Sequence, residues 1–499
     1  MSGSGPTEVV VPREAWRGLW SLVCGFFMIL VDSTIVSVAT PALMRGFGVG
    51  VNTVVWVTSA YLLAFAVPML ITGRLGDRVG PKRVYLAGLA VFTVASLLCG
   101  LTGFRGVGIE WLIAARALQG LGGAMMSPQT MTVIARTFPP QRRGSAMAIW
   151  GATAGIASLI GPVLGGLLID SAGWEWIFLI NLPVGLVTFV LVARNVPRLQ
   201  TNSHSFDWLG VALSGIGMFA AVFAIQEGHS FGWGRVWGPI SVPLLLAVGV
   251  VLLVVFGWWQ WRNPREPLVP LALFADRNFS VSSFSIVCVG FATTALVFPF
   301  MIYAQVVRGL DSTLAALLMA PQAVLGILLA RPAGQLVDRT HPRTLAGLGL
   351  LGMTISLVWL SLIMTPDRSW LAMLAPAVLM GGSTAFVWGT LATGANRNLP
   401  PAMAGSGSGV YNTARQVGSV LGSAAIAVVM EARIAARMPS TAAPSLGSGP
   451  ADLAPADLAG LSQALADAML LPAAVIGVAA VAALFFQNLR HLSLGAADA

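Results

Sequence analysis

Apolar runs of close to 20 residues, separated by short polar connections, recur from one end of the chain to the other. A run of that length crosses the hydrocarbon core of a bilayer as a helix. The pattern predicts fourteen spans, over residues 20–43, 54–71, 83–101, 110–134, 145–169, 177–193, 208–226, 239–258, 281–303, 314–330, 345–364, 371–393, 407–430 and 469–487. The most informative polar stretch is 73–83 (GRLGDRVGPKR), read as a turn between the second and third spans. A second copy stands at 334–343 (GQLVDRTHPR), so Gly73, Asp77 and Arg78 align with Gly334, Asp338 and Arg339 at an offset of 261. The same offset carries Pro139 and Pro140 onto Pro400 and Pro401, and Gly161 onto Gly422. A membrane chain made of two copies of one bundle is how many carriers are built, because alternating access needs two halves that rock against each other.

The repeat relates spans 2–5 to spans 10–13. It predicts an all-α integral membrane fold of two six-helix bundles, over residues 1–200 and 278–499, with spans 7 and 8 inserted between them over 201–277. Residues 432–467, rich in Ala, Pro, Ser and Gly, read as a flexible outer loop before the last span.

Composition excludes a soluble reading. The chain is 56% hydrophobic and 9% charged, against about 25% charged in soluble domains, and its mean hydropathy is +0.82. Nineteen of the 28 basic residues fall on one side of the predicted spans and seven on the other, leaving Arg116 and Arg415 inside spans. Basic residues collect on the cytoplasmic side, which predicts a multi-pass protein of the cytoplasmic membrane with both termini cytoplasmic. The net charge of +9 then reflects topology, and no nucleic acid is expected as a partner. The first run is longer than a signal-peptide core and is kept as a span. Cys24, Cys99 and Cys288 lie within spans and form no metal-ligand spacing. No phosphate-binding loop, zinc spacing or nucleophile elbow is present, so neither an enzyme nor a bound cofactor or metal is expected.

Charged groups inside spans are expensive and mark function by default. Asp32, in the first span, is the clearest intramembrane acid. It can load and release a proton, since burial raises a carboxyl pKa and a nearby cation lowers it. The other reading is a permanently paired structural carboxylate. Arg116 in the fourth span can only pair, donate hydrogen bonds or meet an anion, and so can Arg415 in the thirteenth, beside Asn412 and Gln416. Trp56, Tyr61, Trp150 and Trp388 are candidates to line a substrate pathway, although interface belts and packing claim most aromatics in such chains. Asp77 is suited to accept from a neighbouring helix N-terminus. With Gly73 and Arg78, and with Asp338 and Arg339 in the repeat, it reads as a conformational latch. Gly161, Pro162 and Gly165 predict a kinked, closely packed surface between the halves.

These residues add up to a family. Residues 73–83, the run 32–41 (DSTIVSVATP), Arg116 with Gln119 and Gly120, the Gly161–Pro162 and Gly165–Gly166 pairs, the run 174–183 (WEWIFLINLP) and Arg415 with Gln416 resemble signatures of the major facilitator superfamily, in its 14-helix drug:proton antiporter branch. The resemblance implies the major facilitator fold and efflux of a small lipophilic drug, toxin or secondary metabolite against inward-moving protons, by a monomer without a cofactor. It also implies proton coupling at Asp32 and Arg116. Ser37, Thr40 and Glu175 depart from the usual residues, and the span 314–330 lacks the acid found in exporters of dications. A dedicated exporter of one metabolite or lipid, or a non-transporting receptor or scaffold on the same fold, stands as the alternative.

Overall fold

The computed structural model describes residues 12–201, 207–228, 230–263, 267–337, 340–399, 403–438 and 454–487. Among these, fourteen long helices run up and down. They are α1 (Arg13–Val38), α2 (Val51–Val79), α3 (Pro81–Arg105), α4 (Ile109–Thr137), α5 (Pro140–Ala172), α6 (Trp176–Asn195) and α7 (Trp208–Glu227), then α8 (Val242–Arg262), α9 (Arg277–Val307), α10 (Ser312–Leu317 with Ala320–Val337), α11 (Pro342–Ile363), α12 (Trp370–Asn396), α13 (Ala404–Arg437) and α14 (Pro455–Phe485). Twelve are long and apolar enough to cross a membrane. The other two, α4 and α5, fall short for legible reasons. Helix α4 carries Glu110, Arg116 and Arg136, and among the described side chains of α5 the apolar stretch is Ile156–Ala172.

The signature stretch 73–83 is mostly helix. Residues 73–79 are the last two turns of α2, and Gly80 alone makes the turn. Its φ of +104° is accessible to glycine at no steric cost, and Pro81 then opens α3 where a missing N–H does no harm. We call the side of the molecule carrying this connection the turn end. The expected flexible loop 432–467 is corrected at its two flanks, while residues 439–453 lie outside the described residues. Helix α13 runs on to Arg437, α14 begins at Pro455, and Arg437 pairs with Asp467 at 2.6 Å. The Oγ of Ser462 donates to the carbonyl of Met364 (2.9 Å), so this segment is docked on the bundle. Its alanines and leucines are helix formers with an apolar face, which its Pro and Ser content conceals.

Helix pairings repeat between the halves. Helix α1 packs on α5 and α6, α4 on α2 and α3, and α3 on α6; α9 packs on α13 and α14, α12 on α10 and α11, and α11 on α14. In both halves the first contact is made over a glycine. A Cβ on Gly161 would come within 2.0 Å of the Thr34 hydroxyl on α1, and one on Gly422 within 2.3 Å of the Phe291 carbonyl on α9. Helices α7 and α8 pack on each other around a short hairpin, β1 (Arg235–Trp237) with β2 (Ile240–Ser241), and α7 leans on α2 and α13. Asp207 ties this pair together by accepting from the Gly210 N–H, the Trp259 indole and the Gln260 amide. Large apolar side chains face outward around the body, as a bilayer requires, with Trp111 and Trp261 near the helix ends.

The seam between α9 and α13 yields a stability prediction. A Cβ on Gly418 would lie 2.0 Å from the Val287 carbonyl, whereas Gly347 faces open space. Gly418→Ala should lower stability by about 1–3 kcal/mol through overpacking. Gly347→Ala should be neutral or slightly stabilising, because alanine is the better helix former. Thermal unfolding of the two detergent-solubilised variants decides, and equal midpoints would refute the close packing.

Candidate functional site: a sealed charge centre and a polar seam

The two N-terminal intramembrane charges meet. Arg116 on α4 donates to the Oδ2 of Asp32 on α1 at 2.6 Å, and both side chains are wholly buried. Neither charge could persist there alone, and each remaining lone pair or N–H needs a partner. Asp32 Oδ1 accepts from the amides of Gln119 (2.8 Å) and Asn181 (2.9 Å). Those amides also approach the hydroxyl of Ser96 on α3, which donates to the Phe178 carbonyl. Arg116 donates from Nε to the Val57 carbonyl on α2 and from Nη1 to Gln119 Oε1. Its guanidinium lies 4.1 Å from the centre of the Tyr61 ring, an arrangement that favours a cation. Five helices of one bundle thus contribute to one centre, with the Tyr61 hydroxyl and Arg116 Nη2 left without hydrogen-bond partners.

Sequence reasoning named Asp32 and Arg116, assigned Tyr61 to a substrate pathway, whereas it is buried against Arg116, and missed Ser96 and Asn181 as members of the site. Asn181 carried a usable signal, since an amide inside an apolar span requires a partner. The positions 261 after Arg116 and Gln119 are Ala377 and Met380, so the repeat does not carry this pair into the C-terminal bundle.

Helix α13 instead turns a polar stripe outward, made of Ser408, Asn412, Arg415, Gln416, Ser419 and Ser423 at helical spacing. Ser423 meets the other bundle, its Oγ sharing a 2.7 Å hydrogen bond with Ser59 Oγ on α2, whereas Ser419 Oγ donates to the Gly290 carbonyl on α9 of its own bundle. Arg415 lies two turns nearer the turn end than Ser423, with Cζ 5.8 Å from the Trp388 ring on α12. The Asn412 amide is satisfied by the Ser408 carbonyl of its own helix. Side-chain hydrogen bonds join the two bundles in the half away from the turn end. Gln305 donates to the Val38 carbonyl (2.9 Å), and Asp170 accepts from the backbone of Ser312 and Thr313 and from the Thr313 hydroxyl. At the turn end Arg74 of α2 donates to the Pro267 carbonyl ahead of α9 (2.6 Å).

Several sequence expectations change here. Trp56 lines no pathway, because its indole donates to Glu227 at 2.5 Å and its ring meets Phe223, both on α7. Trp150 is stacked on Phe26 at 4.5 Å within its own bundle. Gly161 and Gly165 pack against α1 of the same half, while the neighbouring Gly166 meets Ser312 and Thr313 of the other. Helix α5 runs through Pro162 without a break. Asp77 accepts from Arg136 at the end of α4 (2.5 Å), which replaces the expected helix N-terminus as partner, and Arg78 sits beside it. Gly73 packs near Pro128 of α4. Asp338 and Arg339 lie outside the described residues.

Comparison with known proteins follows from this geometry. A family model described as Major Facilitator Superfamily matches residues 22–423. A Mycobacterium tuberculosis protein described as an uncharacterized MFS-type transporter is 47% identical over 481 residues, covering 95% of this chain and 82% of that one. The tetracenomycin C resistance and export protein of Streptomyces glaucescens is 32% identical over 423 residues, 84% of this chain and 76% of its own. Among solved structures, a bacterial homolog of the human lysosomal transporter Spinster superposes with a TM-score of 0.65 over 97% of this chain and 98% of its own, at 17% identity, a likeness of fold.

The charge centre makes a sharp prediction. Arg116→Ala strands a buried carboxylate and should cost about 3–5 kcal/mol. Asp32→Asn combined with Arg116→Gln leaves no charge behind and should cost less than that single change. Thermal unfolding in detergent separates the cases, and a single variant at least as stable as the double would rule out a mutually dependent pair.

Proposed function

The chain belongs to the Major Facilitator Superfamily, and we propose that it is a proton-coupled antiporter exporting lipophilic drugs, toxins or secondary metabolites across the cytoplasmic membrane. The observation that carries this reading is the sealed Asp32–Arg116 centre. It is an ionisable group with its own cation, closed off inside one bundle and separate from the seam where a large molecule could sit. The resistance and export role in the description of the Streptomyces glaucescens relative supports the substrate class.

In this reading the turn end is cytoplasmic, and the bundles are held together at the opposite, outer end. Substrate enters the seam along α13 from the cytoplasm. A proton reaching Asp32 from outside neutralises the carboxylate, so Arg116 loses its ionic partner and the Gln119 and Asn181 amides lose their charged acceptor. Helices α1, α4 and α6 are then free to shift against one another. The driving force is about 2.3 kcal/mol per charge per 100 mV of membrane potential, before any pH gradient is counted. Protons and a small lipophilic molecule are the only partners this scheme needs besides the bilayer, and a monomer suffices. Export of a single metabolite is the second reading, favoured by the one compound named in that relative's description.

The test is flux in proteoliposomes holding a trapped pH indicator, under an imposed proton gradient, with flat aromatic drugs of each charge type offered in turn. Wild-type protein should move protons when a substrate is present, and Asp32→Asn should abolish that movement. Full substrate-driven proton movement by Asp32→Asn between external pH 5 and 8 would sink the coupling role. Response to one compound alone would favour the dedicated exporter.

A further inference from the structure

We infer that Arg415, flanked by Trp388, is a binding site for the anionic group of a flat amphipathic substrate such as an aromatic carboxylate. This inference rests on the carrier reading above and gives its substrate a charge. The two intramembrane arginines differ in one decisive way. Arg116 has a carboxylate, an amide and a carbonyl around it. Among the described residues Arg415 makes no hydrogen bond or ion pair; its guanidinium lies 5.8 Å from the Trp388 ring and interacts electrostatically with the Tyr411 side chain one turn away.

No acid among the described residues is placed to pair with it. Asp77 on α2 is held by Arg136, and Glu227 on α7 by Trp56 and Asn52. Asp276, ahead of α9, caps Phe279; α12 has no acid; and Glu431 lies 16 residues along α13, about 24 Å away at 1.5 Å per residue. A bare guanidinium within a membrane span is expensive unless water or an anion reaches it. The placement provides that access. Arg415 is half-buried and lies on α13 about two turns from the Ser59–Ser423 contact, on its turn-end side. Trp388 is 39% exposed beside it and offers a ring on which an aromatic body can lie. A guanidinium grips a carboxylate through two parallel N–H donors, and its charge persists at any working pH. The adjacent Asn412 and Gln416 side chains belong to the same stripe.

The experiment is equilibrium dialysis of the purified full chain in detergent at pH 7.5 with two matched probes, anthraquinone-2-carboxylate and anthraquinone-2-carboxamide. Wild-type protein should bind the carboxylate about tenfold or more tightly than the carboxamide, the difference expected of a charge-assisted pair. Arg415→Gln should erase that preference while leaving carboxamide affinity unchanged, which also reports a folded site. Arg415→Lys should keep part of the preference, and Trp388→Ala should weaken both probes equally. Equal affinities in wild-type protein, binding of neither probe, or a preference that survives Arg415→Gln would overturn the inference. Binding is read without a gradient, so the two proposals fail separately. Charge preference without proton movement would remove antiport alone, and proton movement without charge preference would remove the anion site alone.

Discussion

Everything in the N-terminal half is arranged around one carboxylate that has no water. Desolvating Asp32 and Arg116 costs several kcal/mol per ion, and their mutual attraction repays this only with close geometry and further hydrogen bonds to both groups. That condition explains why α1, α2, α3, α4 and α6 meet where they do. Each contributes at least one group to the centre, whether a charge, an amide, a hydroxyl or a carbonyl. A buried network of this kind adds little net stability. It fixes which helix faces which, because any rotation of α4 or α6 would leave a charge or an amide unpaired.

The two halves share a packing plan and differ in chemistry. Glycines on α5 and α13 bring those helices against α1 and α9 so closely that a methyl group would collide with a hydroxyl or a carbonyl. With small residues governing those approaches, the intramembrane charges can diverge without disturbing the plan. The N-terminal half encloses its arginine with an acid. The C-terminal half sets its arginine against a tryptophan of its own bundle. One bundle therefore holds a paired ionisable centre, and the other a cation without a carboxylate partner among the described residues.

Much of this was legible in the residues, and the rest was lost for physical reasons. Spans declare themselves through hydropathy, and the offset of 261 residues exposes the repeat. Asp32 and Arg116 stand out because charges in spans are rare, yet their contact bridges 84 positions and only the fold can bring it about. Ser96 is an ordinary residue in an apolar helix, and nothing near it in sequence signals a carboxylate. Polar composition misled twice in the same way. Residues 73–79 look like a turn, and 432–437 and 455–467 like parts of a loop, but small and charged residues continue a helix readily when one face remains apolar. Trp56 was ambiguous because an indole beside a pathway and one beside an inserted helix look alike until Glu227 is located.

The contacts between the bundles bear on whether such a body can move. Side-chain hydrogen bonds across the seam come from Gln305, Asp170, the Ser59–Ser423 pair and, at the turn end, Arg74. A neutral hydrogen bond contributes about 0.5–1.5 kcal/mol net, and one to a charged group about 1.5–3. Together they set a closure worth several kcal/mol, comparable to the work available from a few charges crossing a typical membrane potential. Apolar side chains also cross the seam, with Val420 and Ala424 of α13 packed in one cluster with Tyr61 and Leu62 of α2. The buried Asp32–Arg116 pair lies inside one bundle, so a movement of one half against the other need not break it.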